Sequence, residues 1–380
     1  MSGANSRVFL ARCETYDPEL LLEHIDRAFQ EFSIYDKLKP GMTVVLKPNL
    51  IMRSRPEGAA ITHPNLVAAV GRCVQKAGAK VLIAESPGGP YTPAIMRAHF
   101  KGCGYTDMAE AYGFSLYTDC KSQSVTLPDA LQCKELSIVE PLIDPDFLID
   151  LPKLKTHSMV GFSGAVKNMF GAVPGLQKPE LHCRFPGREE FSQMLIDVCE
   201  FAKPDFSVFD GIWAMQGNGP TGGERRDVGA ILASDDPFAA DVCAATLVGI
   251  QPEEILMMRY GKERGLGPIS MDEIDLIGDS LAELTVSDFK RAKASSTDFI
   301  DRLPKFLRPL AKRVATPYPK IVRTDCIGCG KCAESCPQHT IELKDGKAEI
   351  GYQNCIRCFC CHEMCPKHVI DIKRLGLFRF

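Results

Sequence analysis

The sequence predicts an α/β fold: a mostly parallel, Rossmann-like sheet covered by helices, followed by a small C-terminal α+β module. Three observations predict it. Apolar strand-like runs alternate with helix-like runs over the first 285 residues, polar residues gather where those strands end, and the carboxyl end carries one cysteine pattern twice.

The elements follow in order. Val8 to Arg12 reads as a strand and Pro18 to Phe32 as a helix; Thr43 to Leu46 is a strand running into Lys47-Pro48-Asn49. A helix from about His63 to Ala77 is closed by Gly78, with Thr62 as the expected cap and His63 capping or packing at its start. The apolar strand Lys80 to Ala84 ends in Glu85-Ser86-Pro87-Gly88-Gly89, completing β-α-β order. Further strands are expected at Phe147 to Leu151, Phe206 to Phe209, Gly229 to Ala233 and Ile274 to Ile277. Helices are expected near Glu189 to Phe201, Pro237 to Val248 and Pro252 to Arg264. Continuous apolar strands between helices imply burial on both faces of the sheet. Residues 115 to 140 are richer in β-formers and suit a hairpin insertion.

Ligands of such sheets gather beyond the carboxyl ends of the strands, where loops meet helix N-termini. Lys47 and Asn49 follow one strand, Ser86 and Gly88 another, Lys153, Lys155 and His157 a third, and Asp210 ends a fourth. The stretch from Leu151 to Gly171 is densest, with Lys153, Lys155, Lys167, His157, Asn168 and three glycines among few carboxylates. It suits an anion cradle, because glycines admit the backbone and lysines neutralise charge. The bland reading keeps Lys153 and Lys155 as solvated strand-end lysines. His157 is read either as a general acid or as a hydrogen-bonded structural group. His182, with Lys178, Arg184 and Arg188, belongs to a lid over an anionic ligand or to a surface loop. Gly217 to Gly223 is a backbone nest or a tight turn. It lacks the Gly-Lys-Ser/Thr ending of a triphosphate loop, and no dinucleotide fingerprint appears, so a flavin or other organic cofactor stays open.

Together Val45-Leu-Lys-Pro-Asn-Leu, Thr62-His-Pro, Glu85-Ser-Pro-Gly-Gly, Pro152-Lys-Leu-Lys-Thr-His, Ser163-Gly-Ala-Val-Lys-Asn-Met-Phe-Gly and Gln216-Gly-Asn-Gly-Pro resemble the prokaryotic domain-of-unknown-function family 362. The resemblance spans roughly residues 6 to 280. It implies a shared fold and site, often joined to ferredoxin modules, and assigns no reaction.

The cysteine runs are Cys326-x2-Cys329-x2-Cys332-x3-Cys336-Pro337 and Cys355-x2-Cys358-x2-Cys361-x3-Cys365-Pro366. A four-iron cluster takes three thiolates from one such loop, and the fourth cysteine reaches across to the other cluster. On that rule Cys326, Cys329, Cys332 and Cys365 hold one [4Fe-4S] cluster, and Cys355, Cys358, Cys361 and Cys336 hold the second. Zinc favours closely spaced pairs, and a disulfide scaffold fits a small secreted domain better. Cys360, between two ligands, reads as a packed neighbour. The tail resembles bacterial two-cluster ferredoxins over roughly residues 320 to 374.

Three units are expected: an α/β domain at 1–285, a basic helical connector at 286–319, and a cluster module at 320–380. The connector packs on the large domain or docks an acidic carrier or anionic membrane surface. A net charge of −3 argues against nucleic-acid binding, and no run approaches the roughly 20 apolar residues of a transmembrane helix. Seventeen cysteines suit a reducing cytoplasm and low oxygen.

These readings combine into an iron–sulfur oxidoreductase. Electrons from a carrier protein (ferredoxin, flavodoxin or flavoprotein) pass to or from a small anionic ligand at Lys47, Lys153, Lys155 and Lys167, with His157 or His182 supplying protons. The rival is a non-enzymatic electron-transfer or cofactor-assembly protein. A mononuclear metal enzyme using His157, His182 and Asp210 ranks lower, and a homodimer is left open.

Overall fold

The computed structural model describes residues 5–292 and 317–373; most of the expected connector, 293–316, lies outside them. The strands of the large domain are β1 (Ser6–Arg12), β2 (Thr43–Pro48), β3 (Lys80–Ile83), β4 (Ser115–Leu116), β5 (Ser122–Thr126), β6 (Glu135–Val139), β7 (Phe147–Leu151), β8 (Lys153–His157), β9 (Gly161–Ser163), β10 (Phe206–Gln216), β11 (Glu224–Ser234) and β12 (Ile274–Gly278). The main sheet runs β12-β1-β11-β10-β7-β2-β3-β4, with β8 beside β10 and β9 beside β8. Most of its pairings are parallel, as expected. The exceptions are β1 with β11, β10 with β11, and β8 with β9.

Alternation along the strands builds two cores. Phe9, Val44, Leu46, Ile149 and Val208 face a layer formed with the helices Pro18–Glu31 and Pro64–Lys76. Val8, Leu10, Val45, Leu148 and Phe209 face the opposite layer, formed with Arg188–Ala202 and Pro237–Leu247. Each fully buried Val, Leu, Ile or Phe contributes about 1.5–3 kcal/mol relative to exposure, so this two-sided burial is what holds the sheet.

Several local expectations shift. His63, not Thr62, caps its helix: its Nδ1 accepts from the Asn65 amide at 3.1 Å. Thr62 Oγ1 instead donates to the Leu151 carbonyl at 2.6 Å, tying the helix start to β7. Lys153 to His157 forms a fully buried strand, because Asp210 and Met215 of β10 offer it a parallel partner past the break at Pro152. Gly217 to Gly223 joins the antiparallel strands β10 and β11, which resolves the nest-or-turn alternative as a hairpin connection. The segment around His182 is partly helical, Gln177–Arg184.

β5 and β6 form the expected hairpin. Buried Asp197 fastens its return loop, accepting from the amides of Leu131, Gln132 and Cys133 at 2.7–3.0 Å and pairing with Arg264 at 2.9 Å.

At the carboxyl end, β13 (Tyr318–Ile321) pairs antiparallel with β16 (Ile370–Lys373), and β14 (Ile341–Lys344) with β15 (Lys347–Ile350). The short helices Lys331–Glu334 and Cys360–Glu363 follow the two cysteine loops.

Asp197→Ala removes the ion-pair partner of Arg264 and the acceptor of three loop amides, that of Cys133 buried. A loss of about 3–5 kcal/mol is expected in urea unfolding followed by circular dichroism; a change within experimental error would show that the hairpin is held otherwise.

Candidate functional site

The two cysteine runs adopt the same backbone course. Gly328 and Arg357, Gly330 and Phe359, and His339 and His368 occupy equivalent places in the repeats, and all six have left-handed φ between 49° and 76°. Non-glycine residues adopt that region at an energetic cost, and such strain collects where a loop must aim its side chains. Here the loops aim sulfur. Cys326, Cys329, Cys332 and Cys365 line one cavity, and Cys336, Cys355, Cys358 and Cys361 line a second, so the fourth cysteine of each run does cross. Among the described residues no three His, Cys, Asp or Glu groups converge on a point that would bind a single ion. Each set surrounds a space instead, which fits a multi-atom cluster. Backbone amides face the thiols as well: Gly328 and Ala348 lie 3.5 Å from Cys326 Sγ, and Thr340 lies 3.4 Å from Cys336 Sγ. Such donors stabilise thiolate character and lower the Cys326 pKa.

A third cavity lies between the large domain and the cysteine module. Asn49, Ser86, Gly88, Lys155, Lys167, Asn168, Lys178 and His182 line it from the sheet side, and Cys360, Glu363 and Met364 close it from the module. Helical spacing explains that wall. Cys361 and Cys365 are four apart and face the thiol-lined cavities, while Cys360, Glu363 and Met364 are three and four apart on another side. Hydrogen bonds dock the module: Thr221 Oγ1 donates to the Glu363 carbonyl at 2.9 Å, and the His362 ring spans the carbonyls of Asn218 and Ile370.

The cavity is dense in lysine. Lys155 Nζ donates to Asn49 Oδ1 at 2.7 Å and to the Ala60 carbonyl at 2.9 Å. Lys178 Nζ donates to the carbonyls of Ser86 and Val173. Behind the wall, Lys47 pairs with Glu85 at 2.5 Å. Lys167 has no hydrogen-bond or ion-pair partner among the described residues. Burial lowers the pKa of all three lining lysines, Lys178 to about 7. Burial likewise lowers His157 to about 3 and His182 to about 4. His157 Nδ1 accepts from the amides of Met159 and Val160, so the proton of the neutral ring sits on Nε2, 3.2 Å from Glu363 Oε1. Burial opposes ionisation of Glu363, but the groups facing it hold its carboxyl down to about 2.

Beneath the lysines lies a carboxyl of the opposite kind. Burial raises Asp150 to about 7 despite nearby Lys47. Its Oδ1 accepts from Asn168 Nδ2 at 2.7 Å, and its Oδ2 has no partner among the described residues.

Of the residues expected at a ligand site, Asn49, Ser86, Gly88, Lys155, Lys167, Asn168 and His182 meet in this cavity. Lys47 and His157 stand one residue behind it, through Glu85 and Glu363. Lys153 and Asp210 do not reach it. Lys153 Nζ lies 2.8 Å from Asp210 Oδ2 and donates to Tyr16 Oη at 3.0 Å, while Tyr16 donates to Asp210 Oδ1 at 2.6 Å and stacks on His63. That network also separates Asp210 from His157 and His182, so the three do not form a metal triad. Lys178, read beside His182 as part of a lid, and Glu85, which opens its strand-end run, line the cavity too, whereas Asp150, Glu363 and Met364 were missed as ligand-site candidates. Lys178 and Glu85 stood in segments already marked as polar. Glu363 and Met364 could be found only by reading the side of the cysteine helix opposite its ligands.

The fold and the paired cysteine sets define an iron–sulfur protein, an α/β body joined to a two-cluster module. Residues 44–246 match the domain of unknown function DUF362, and residues 318–366 match a 4Fe-4S dicluster domain. The chain is 33% identical over 309 residues to the thylakoid-associated protein sll1697 of Synechocystis sp., covering 80% of this chain and 93% of that one. The chain belongs to the DUF362 family. Among solved structures, it is similar to the lactate racemase apoprotein from Thermoanaerobacterium thermosaccharolyticum, at 16% identity and a TM-score of 0.41, over 65% of this chain and 57% of that one. It is also similar to a structural-genomics protein from Thermotoga maritima, at 12% identity and a TM-score of 0.33, over 54% and 52% of the chains. Both matches span little more than half of the solved chain. Among the described residues no helix is long and apolar enough to cross a membrane.

Asp150 gives a pH signature. Its folded pKa of about 7 lies above the ordinary 3.8, so between those values the native state holds a proton that the unfolded state releases. Its contribution is full below the lower value and is lost as pH rises through the upper, by on the order of 4 kcal/mol. Asp150→Asn should flatten that part of the stability–pH profile; an unchanged slope in urea titrations at mildly acidic and mildly alkaline pH would refute the assignment. The cysteine sets give a second test. A Cβ at Gly328, whose φ is +66°, would lie 2.1 Å from the Gly346 carbonyl oxygen. Gly328→Ala should therefore halve bound iron and sulfide after anaerobic reconstitution, whereas Cys360→Ser should keep both at the wild-type level.

Proposed function

We propose that this chain is an iron–sulfur oxidoreductase that exchanges electrons with a small anionic ligand held by Lys155, Lys167 and Lys178. The observation that carries the reading is the shared wall: Cys360, Glu363 and Met364 of the cysteine module line the same cavity as these lysines. Cys326, Cys329, Cys332 and Cys365 would hold one [4Fe-4S] cluster, and Cys336, Cys355, Cys358 and Cys361 the other. Bound clusters would supply single electrons over a range of potentials set by their surroundings.

The chain's own residues do the rest. Lys155 uses two of its three donors on Asn49 and Ala60, which leaves one for a ligand oxygen. Asn168 and Asn49 fix each other at 2.9 Å and keep the floor rigid. A ligand here sits out of bulk water, where each charge-assisted hydrogen bond is worth more than at the surface. His157 holds a proton on Nε2 and His182 lines the cavity, so both are placed to serve proton transfer. Cys360 connects cavity and module, lining the cavity beside the ligand-set positions Cys358 and Cys361.

Cys329 is the exposed member of its set, and that edge suits an electron carrier such as a ferredoxin, flavodoxin or flavoprotein. All seventeen cysteines are unbridged, in keeping with a reducing compartment such as the cytoplasm.

Oxalate is a suitable first ligand for anaerobic calorimetry, and Lys155→Met should weaken it by about ten- to a hundredfold, the worth of one hydrogen bond to a charged group. Equal affinity in the variant would remove Lys155 from the site. Dithionite-reduced protein that binds small anions, including oxo acids, but is never reoxidised by them would favour the rival reading of a carrier or assembly protein.

A further inference from the structure

The lysines of the large domain's interior differ in one respect. Lys47 is paired with Glu85, Lys153 with Asp210 and Tyr16, Lys155 with Asn49 and Ala60, and Lys178 with Ser86 and Val173. Lys167 alone among these five lacks such a partner in the described residues, and it lines the cavity. It is carried by the short helix Ala165–Asn168, whose first amides are fixed by buried Asp241: Ala165 N donates to Asp241 Oδ1 at 2.5 Å. A Cβ at the preceding Gly164 would lie 2.0 Å from that same oxygen, so the turn presenting Lys167 has little room to shift. A long side chain is thus held by a rigid base with its amine unassigned.

We propose that Lys167 is a covalent anchor: its amine condenses with the carbonyl of a small anionic oxo acid to form an imine. This rests on the reading of the cavity as an anion site and adds the substrate class. The nitrogen lone pair bonds to the carbonyl carbon while the C=O π pair moves to oxygen. Both amine protons pass to that oxygen, which departs as water, leaving C=N with no net redox change.

The surroundings suit each part. Lys155 and Lys178 flank the cavity and neutralise the acid group. His182, 4% exposed and with Nδ1 unpartnered among the described residues, lines the same space and can relay the protons. The charged or titratable groups around Lys167 are Lys47, Lys155, Lys178, Glu363, Cys360, His157 and His182. Burial leads in lowering its pKa and Lys47 adds to it, while Glu363 and Cys360 oppose. A desolvated lysine beside other cations is the setting in which an amine acts as a nucleophile near neutral pH. Once protonated at nitrogen, the imine is a better electron acceptor than the free carbonyl, which suits a cavity walled by a cluster module.

Anaerobically purified, cluster-loaded protein is incubated with glyoxylate and sodium cyanoborohydride near neutral pH, and peptides are mapped by mass spectrometry. The expected result is carboxymethylation at Lys167 severalfold faster than at exposed Lys101 or Lys203. Urea-unfolded protein should lose that preference. Lys167→Gln should remove the adduct while visible absorbance and melting temperature stay at wild-type values. Labelling at Lys167 no faster than at the exposed lysines overturns the proposal, and needs no variant. Calorimetry with oxalate, which has no carbonyl able to condense, separates the two ideas: oxalate binding without a glyoxylate adduct sinks the imine alone, whereas neither binding nor adduct sinks the anion site as well.

Discussion

The placement of one short helix, Cys360–Glu363, governs the architecture. Cys361 within it and Cys365 just past its end belong one to each cysteine set, while Cys360 and Glu363 face the lysine cavity. At about 100° per residue, neighbouring positions must point apart, so Cys360 and Cys361 address different cavities although they are adjacent in sequence. Any movement of the thiols is therefore a movement of Glu363 and Met364. The side of the cavity that the module closes is as fixed as the thiol framework.

Charge inside the large domain follows the same economy of position. Burying a lysine is tolerable where a carboxylate or several oxygens surround its ammonium group, and the interior supplies them for Lys47, Lys153, Lys155 and Lys178. Among the described residues two groups break the pattern: Lys167, without a partner, and Asp150, with one oxygen unmatched. Asn168 itself links Asp150 to Asn49, and Asn49 links on to Lys155. A change at any member of this chain of hydrogen bonds reaches the cavity floor, because amide groups pass on orientation rather than charge.

Much of this was legible in the sequence, for physical reasons that differ by element. Strands with apolar side chains on both faces, such as Phe147–Leu151, announce a doubly covered sheet because no half-exposed strand tolerates that pattern. The cysteine spacing announces the crossing of Cys336 and Cys365, since a tight loop can aim only three sulfurs at one centre. Lys153 and Asp210 could not be told apart from the cavity-lining residues because strand-end position does not say which side of the sheet a side chain takes. Their partner Tyr16 lies far away in sequence and could not be anticipated. Glu363 stayed hidden for a similar reason: its role exists only once the module docks. The antiparallel turn of β11 was missed because an apolar strand reads the same in either direction.

The hairpin that receives the module has a mechanical consequence. β10 and β11 are each eleven residues long; their inner halves are built into the core, and their tips carry Asn218 and Thr221 against the cysteine helix. Tunnelling rates fall exponentially with separation, so a donor mounted on a tether would sample many rates. A donor mounted on the projecting end of a central sheet strand samples few. On the proposed function, the gap between the thiol-lined cavities and the lysine cavity is set by the stiffness of the sheet itself.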